Sequence, residues 1–340
     1  MNLRPILTST FLTASLLTLP SVVAAAEVNL YTTREPGLIA PLLEGFTKST
    51  GTTVNTIFLK DGLSERVASE GESSPADILM TVDIGNLVDL VEKGVTQPVE
   101  SSVLNAAIPE VLRDPDGHWY SLSMRARVLY AAKELDISTF NYEELADPQW
   151  KGKLCIRSGQ HPYNTALFAD YIAHYGAEEA EKWLAAVKDN LARKAAGGDR
   201  DGAKDILGGI CDIAIANSYY VGLMKSGSGG EEQVRWADAI KVILPTFKDG
   251  GTQVNVSGAA VAKYAPNREE AVKLLEYLVS EEAQKIYAKA NYEYPVRPGA
   301  EVDPIIAAFG ELKIDNKTLT EIASHRKQAS ELVDKVGFDN

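Results

Sequence analysis

The chain has 340 residues, of which 45% are hydrophobic, and a formal net charge of −13. This length exceeds what one ordinary hydrophobic core occupies, so we expect two domains of about 100 to 200 residues each. The excess of acidic side chains argues against nucleic acid or an anionic membrane surface as a partner, because both select clustered Lys and Arg.

The N-terminal residues have the composition of a secretion signal. Arg4 supplies a positive start, residues 6–19 are mostly apolar, and small residues at 23–26 offer a cleavage site before Glu27. The apolar stretch is shorter than the roughly 20 residues of a membrane-spanning helix. We therefore predict a signal peptide over residues 1–26 and a mature protein that is soluble in a bacterial periplasm.

The first part of the mature chain alternates between strand and helix patterns. Short apolar runs predict strands over 28–31, 54–59 and 77–81. Amphipathic periodicity predicts the intervening helices, which end at Gly51, near residue 70 and at Gly94. Such an order demands a parallel sheet with helices on its faces, which is an α/β fold.

A second alternation follows in the remainder of the chain. Its predicted strands lie at 128–132, 154–157, 211–218, 239–244 and 254–261. Helical periodicity is seen around Leu167 and Trp183, and the later helices are predicted over 267–280, over 281–291 and as one final helix through 319–332.

The two cysteines both fall in predicted strands of this second part. Cys155 lies in Lys-Leu-Cys-Ile-Arg, and Cys211 lies in Gly-Ile-Cys-Asp-Ile. In an oxidising compartment a disulfide between neighbouring strands is expected, and two buried free thiols are the alternative.

Two adjacent phenols occupy the point where a buried strand gives way to a helix. Tyr219 and Tyr220 end the run Cys-Asp-Ile-Ala-Ile-Ala-Asn-Ser, and ligand sites of open α/β sheets collect at the carboxyl ends of such strands. Tyr163 follows another predicted strand by a short loop, so it is expected at the same edge. Phenolate oxygens are hard donors that suit a hard trivalent cation, although tyrosines are also common as core and cleft residues.

Seven segments, in order along nearly the whole mature chain, resemble the ferric-binding proteins of bacterial iron importers, including the related Fut-type proteins of cyanobacteria. The Asn-x-Tyr-Tyr element after an Asp-x-Ala strand is the most specific of them. The segments are 30–34, 74–83, 122–128, 150–153, 212–220, 257–261 and 292–296.

The resemblance implies the type II periplasmic binding protein fold, in which two α/β lobes joined by two crossing segments close over a ligand. It implies an N-terminal lobe of residues 27–127 and 252–302 and a C-terminal lobe of residues 128–251 and 303–340. It also implies a monomeric, non-enzymatic carrier of Fe³⁺ that delivers its cargo to the permease of an ABC transporter, with iron held by the phenolates of Tyr163, Tyr219 and Tyr220.

The remaining iron ligands differ from those of the family. Some members place a His near the position of Glu35, and others have a Glu where Val82 stands in this chain. Glu35 is a hard carboxylate and is therefore a candidate fourth ligand, with a simple helix N-terminal acid as the alternative. Asp83 and Tyr31 are weaker candidates.

Two arginines suggest an anion beside the metal. Arg34 and Arg125 can hold carbonate or a similar synergistic anion with bidentate geometry, and ordinary ion pairs are the alternative. A second candidate function is therefore a binding protein for a small organic anion held by these arginines. An exported hydrolase is not supported, because the sequence has no G-x-S-x-G or H-E-x-x-H motif. The four histidines show no metal-ligand spacing, and only His161 is expected near the site.

Overall fold

The computed structural model describes residues 26–340, so all but the last residue of the predicted signal peptide lies outside the described residues. Ten strands form the sheet: β1 Glu27–Thr32, β2 Thr53–Phe58, β3 Ile78–Thr81, β4 Thr96–Gln97, β5 Tyr120–Ala132, β6 Leu154–Cys155, β7 Ile213–Asn217, β8 Ile240–Ile243, β9 Val254–Ala262 and β10 Tyr294–Pro295.

The α-helices of this part are α1 Pro36–Thr50, α2 Leu63–Glu70, α3 Ile84–Glu92, α4 Ser102–Ala107, α5 Pro162–Tyr175, α6 Ala177–Asp189, α7 Asp199–Leu207, α8 Tyr219–Lys225, α9 Glu231–Asp238, α10 Arg268–Leu278, α11 Glu281–Asn291, α12 Pro304–Ala307, α13 Leu319–Ser324 and α14 Arg326–Val336. The predicted single final helix is wrong, because α13 and α14 are separate helices that meet at His325.

The predicted parallel sheet of the first part is confirmed. β1 pairs in parallel with β2 on one side and with β3 on the other. The apolar face of α1 explains why it covers this sheet, since Ile39, Leu42, Leu43 and Phe46 fall at helical spacing and are all buried. Gly51 ends the helix in the left-handed conformation, with φ of 77°, which a residue without Cβ adopts readily.

The long strand β5 joins the two halves of the sheet, whose order is β2-β1-β3-β9-β5-β7-β6. Its residues 120–126 pair with β9, and its residues 127–132 pair with β7 and β8. All thirteen residues of β5 are buried. The predicted strand at 128–132 was therefore too short, because a strand covered on both faces lacks the alternation that marks a half-exposed one.

Cys155 and Cys211 form the expected disulfide, with their Cα atoms 5.9 Å apart. Cys155 ends β6, and Cys211 lies two residues before β7, which runs parallel to β6. The bridge therefore fixes the two strands whose carboxyl ends lead to the three predicted tyrosines.

Replacing both cysteines by serine will lower the free energy of unfolding by about 4 kcal/mol, because the bridge closes a loop of 56 residues in the unfolded chain. Urea denaturation of the oxidised protein, the reduced protein and the double variant measures this change. The reduced protein and the double variant should agree, and an unchanged midpoint in both would contradict the prediction.

Candidate metal site

Three phenols come together at the start of two neighbouring helices. β7 ends at Asn217, and Tyr219 and Tyr220 are the first two residues of α8. Tyr163 is the second residue of α5, which follows β6 after a short loop. Because β6 and β7 are parallel neighbours, both helices begin at the same edge of the sheet.

The rings of Tyr219 and Tyr220 contact each other at a tilt of 31°, with their centroids 4.1 Å apart, and the side chains of all three tyrosines are half-buried. Burial raises the pKa of the Tyr219 phenol well above its usual value, and the charge and hydrogen bonding of Tyr163 and Tyr220 raise it further. Burial and the charge of Tyr163 also raise the pKa of Tyr220. These three phenols, called the tyrosine cluster below, therefore interact directly with one another.

Guanidinium groups surround the tyrosine cluster. Arg157 and Arg125 lie over the ring of Tyr163, 5.2 and 5.8 Å from its centroid, and Arg200 lies 5.7 Å from the ring centroid of Tyr220. Positive charge at this distance favours the phenolate form. Neither Arg157 nor Arg200 was predicted from the sequence as a site residue, although Arg157 lies only six residues before Tyr163.

A buried carboxylate orients this arrangement. Asp199, the first residue of α7, contacts Arg127 at 2.6 Å and Arg157 at 3.2 Å, and it accepts a hydrogen bond from the backbone N–H of Asn217 at 2.7 Å. Asp199 and Arg127 are almost completely buried. Asp199 therefore links the arginine over Tyr163 to the strand end that precedes Tyr219, and it was also missed in the sequence.

The tyrosine helix α8 is held by contacts on two sides. The backbone N–H of Ser218 donates to the carbonyl of Ala126 in β5, and the Ser218 hydroxyl accepts from the Ala126 N–H. A Cβ at Gly222 would lie only 2.1 Å from Cγ of Tyr292, so a residue without a side chain is required there. Tyr292 itself has a φ of 55°, which is unusual for any residue other than glycine.

Arg34 is committed to an internal ion pair. Its guanidinium contacts Glu293 at 2.9 Å and donates to Ser257 Oγ at 2.7 Å, and both charged side chains are only 4% exposed. Burial lowers the pKa of Arg34, but the charges of Glu293 and of Tyr287 outweigh that effect and raise it. Tyr219 makes a smaller contribution in the same direction, which places Arg34 within electrostatic range of the tyrosine cluster.

Arg125 has unused capacity to bind an anion. It donates to Ser257 Oγ at 2.9 Å and to the carbonyls of Val82 and Val256. Within residues 26–340, no carboxylate lies within salt-bridge distance of Arg125, and its Nε is buried without a hydrogen-bond partner. A buried guanidinium without a counter-ion favours an incoming anion.

The weaker ligand candidates occupy different surroundings. Glu35 is exposed and lies immediately before α1, where it makes no side-chain capping bond. Asp83 caps α3, accepts from Asn255 at 2.8 Å and contacts Arg326 at 3.1 Å. Tyr31 is buried, and its hydroxyl donates to Glu70 at 3.3 Å.

His161 is a neighbour of Tyr163, as expected. It precedes α5, and its Nδ1 accepts a hydrogen bond from the backbone N–H of Tyr163 at 3.2 Å. Burial and the charge of Arg157 lower the pKa of His161 to about 4, so the ring is neutral at neutral pH. It therefore adds no positive charge beside the tyrosine cluster.

Residues 73–308 match the family model described as a bacterial extracellular solute-binding protein. The chain belongs to this family. The match covers more than half of the chain and includes both Tyr163 and the Tyr219–Tyr220 pair.

Several known proteins are similar to this chain over most of its length. Iron uptake protein A2 of Synechocystis is 42% identical over 319 residues, which are 92% of this chain and 90% of the relative. The solved Bordetella ferric binding protein is 66% identical, covers 92% of this chain and all of its own, and superposes with a TM-score of 0.90. A Trichodesmium protein solved in complex with iron and citrate ligands is 41% identical over 92% of this chain and all of its own, with a TM-score of 0.88.

These solved structures confirm the predicted type II periplasmic binding protein fold for the solute-binding chain. Over residues 26–340, no helix combines the length and the apolar character needed to cross a membrane.

Proposed function

We propose that this solute-binding protein captures ferric iron through the phenolates of Tyr163, Tyr219 and Tyr220. The observation that carries the proposal is the convergence of three phenols at the N-terminal ends of α5 and α8, where the charges of Tyr163 and Tyr220 raise the pKa of Tyr219. The relatives support it, because their names describe iron uptake and ferric binding.

The chemistry of the tyrosine cluster suits Fe³⁺. Three phenolates together carry the charge that neutralises a trivalent cation, and their oxygens are hard donors. The phenols of Tyr219 and Tyr220 have raised pKa values and are protonated in the metal-free protein at neutral pH. Each phenol therefore releases a proton when it binds iron as a phenolate. Iron binding weakens as the pH falls for this reason.

A synergistic anion completes the site in this proposal. Arg125 lies over Tyr163, and no carboxylate of residues 26–340 lies within salt-bridge distance of it, whereas the charge of Arg34 is already balanced by Glu293. We therefore assign the anion contact to Arg125, with carbonate or a carboxylate such as citrate as its partner. A related protein solved with iron and citrate ligands is consistent with this assignment. We propose Glu35, Asp83 and Arg34 for further contacts after lobe closure, and we no longer include Tyr31, because its hydroxyl donates to Glu70.

The proposed lobes meet at the cleft beside the tyrosine cluster. We propose boundaries at 27–127 with 252–302 and at 128–251 with 303–340. The exchange of partners along β5 supports them, because its residues up to Ala126 pair with β9 and those from Arg127 onward pair with β7 and β8. Closure of such lobes would bury the captured ion before its delivery.

The cellular role follows from the family. We propose that the protein is a monomeric, non-enzymatic carrier in the periplasm after removal of its signal peptide, and that it delivers iron to the permease of an ABC transporter. Its family of extracellular solute-binding proteins and the predicted signal at residues 1–26 support this placement.

Titration of the metal-free protein with ferric citrate will produce a visible phenolate-to-iron absorption band that saturates at one iron per chain. The same titration in weak buffer will release protons, and the apparent affinity will be lower at pH 5 than at pH 8, because protons compete for the phenolates. A colourless protein, or equal affinity at both pH values, would contradict the proposal.

A further inference from the structure

A second group of potential metal ligands lies at the far end of α5. Asp170 and His174 are four residues apart on this helix and therefore share one face, and Asp315 approaches them from the segment before α13. His174 Nε2 lies 3.1 Å from Asp315 Oδ2 and 3.7 Å from Asp170 Oδ1. One ligand atom from each of the three residues lies within 4.8 Å of the others.

The surroundings of Asp170 favour binding of a cation. Its side chain is 0% exposed, and within residues 26–340 neither of its buried carboxylate oxygens has a hydrogen-bond partner. A buried carboxylate in this situation is costly unless it is neutralised or coordinates a metal. Burial raises the pKa of Asp170 well above its usual value, and the charge of Asp315 adds to this effect.

The other two residues are oriented by their surroundings. Asp315 accepts hydrogen bonds from the backbone N–H groups of Gly251 and Lys317 at 2.8 and 2.9 Å. On the opposite side of the imidazole, His174 Nδ1 lies 3.0 Å from Asp249 Oδ1. Among residues 26–340 this Nδ1 makes no hydrogen bond, so Asp249 supplies a nearby negative charge to the imidazole and no directed bond.

We propose that Asp170, His174 and Asp315 form a binding site for a divalent first-row metal ion such as Zn²⁺. An imidazole with two carboxylates suits a borderline ion better than Mg²⁺ or Ca²⁺, which select oxygen-only ligands. Bonds of about 2.0 to 2.2 Å to a tetrahedral Zn²⁺ require ligand atoms roughly 3.4 Å apart, and the distances of 3.1 and 3.7 Å bracket that separation. The bound ion gives the buried carboxylate of Asp170 a partner of opposite charge.

The site lies where α5 meets two adjacent segments of the chain. Thr252 and Ile314 form a bridge between these segments, and the N–H of Asp315 donates to the Thr252 carbonyl. Asp315 directly follows this bridge, whereas Asp170 and His174 belong to α5. A bound ion therefore ties the segment that contains Asp315 to the helix that carries Tyr163.

The site is separate from the tyrosine cluster. Asp170 and His174 follow Tyr163 by seven and eleven residues on the same helix, which correspond to roughly 10 and 16 Å along its axis. Iron capture and zinc binding can therefore be tested independently.

The test is isothermal titration of the metal-free Tyr219→Phe/Tyr220→Phe protein with Zn²⁺, so that the tyrosine cluster does not compete for the ion. We expect one Zn²⁺ per chain and a zinc-dependent rise in Tm that EDTA reverses. In the same background, Asp170→Asn and His174→Gln should each weaken zinc binding at least about 100-fold, because each removes a direct ligand and even the loss of a supporting residue costs about 10- to 100-fold.

The matched control is His118→Gln, because His118 contacts Thr96 and lies outside the group of Asp170, His174 and Asp315. Its zinc affinity should equal that of the background protein. Absence of zinc binding and of a zinc-dependent Tm shift, or equal affinity in the Asp170 and His174 variants, would overturn the proposal. The ferric absorption of Asp170→Asn in the tyrosine-intact chain should be unchanged, so failure of this site is distinguishable from failure of iron capture.

Discussion

Replacing Tyr219 and Tyr220 together by Phe will abolish the ferric absorption band and tight iron binding, and each single replacement will lower iron affinity at least about 100-fold. Loss of a supporting residue near a metal already costs about 10- to 100-fold, so loss of a direct ligand should cost more. Phe keeps the contact between the two rings, whose centroids are 4.1 Å apart, and removes only the oxygen. Competition with a ferric chelator and the intensity of the band measure the effect.

The control for these variants is Tyr264→Phe, because Tyr264 is 43% exposed and lies outside the tyrosine cluster. It should bind iron like the wild type. Tyr31→Phe tests the weaker candidate and should also retain iron, since its hydroxyl is engaged by Glu70. Retention of the full band in Tyr219→Phe/Tyr220→Phe, with an unchanged Tm, would refute the assignment of the phenolates.

The strands, helices and site residues that could be predicted are marked by patterns within a short stretch of sequence. The helix 63–70 and the strands around 28–31, 54–59 and 77–81 were found from periodicity, and the structure has them within about two residues. Tyr219 and Tyr220 were found because a strand end in an α/β fold is an unusual place for two phenols. The disulfide was found because two cysteines fell near neighbouring strands of an exported chain.

The parts that were missed depend on contacts between distant residues. Arg127 and Asp199 are 72 residues apart, and nothing local in either segment indicates that they meet. Helices α7 and α9 were not predicted, because Asp, Glu, Gly and Arg occupy at least half of their positions and only a few residues face the core. The histidines were dismissed for lack of a His-x₃-His spacing, whereas His174 pairs with Asp170 at that spacing and with Asp315, which is 141 residues away.

The second large effect is expected for Asp199→Asn, which will lower the free energy of unfolding by roughly 3 to 5 kcal/mol and will weaken iron binding as well. Asp199 is 0% exposed at its side chain and balances Arg127, which is 1% exposed, and Arg157, which is 14% exposed. Removing one partner of a buried ion pair leaves the other charge uncompensated, and this is the costly case. Iron affinity should fall because Arg157 lies over Tyr163 and Asn217 precedes the tyrosine pair.

Asp205→Asn is the matched control, because Asp205 lies on the same helix and contacts Arg193 at the same distance of 2.6 Å. That pair is partly exposed, with fractions of 13% and 25%, so its loss should cost about 1 kcal/mol or less. Urea denaturation gives the two free-energy changes. Ferric titration without urea, at a temperature at which both variants are fully folded, gives the iron affinities. Equal costs for the two variants would show that Asp199 is an ordinary ion-pair residue, whereas a large cost with unchanged iron affinity would confine its role to folding. If this buried carboxylate holds the arginines and the strand end that orient the phenols, Asp199→Asn should lower both stability and iron affinity, and Asp205→Asn should lower neither to a comparable extent.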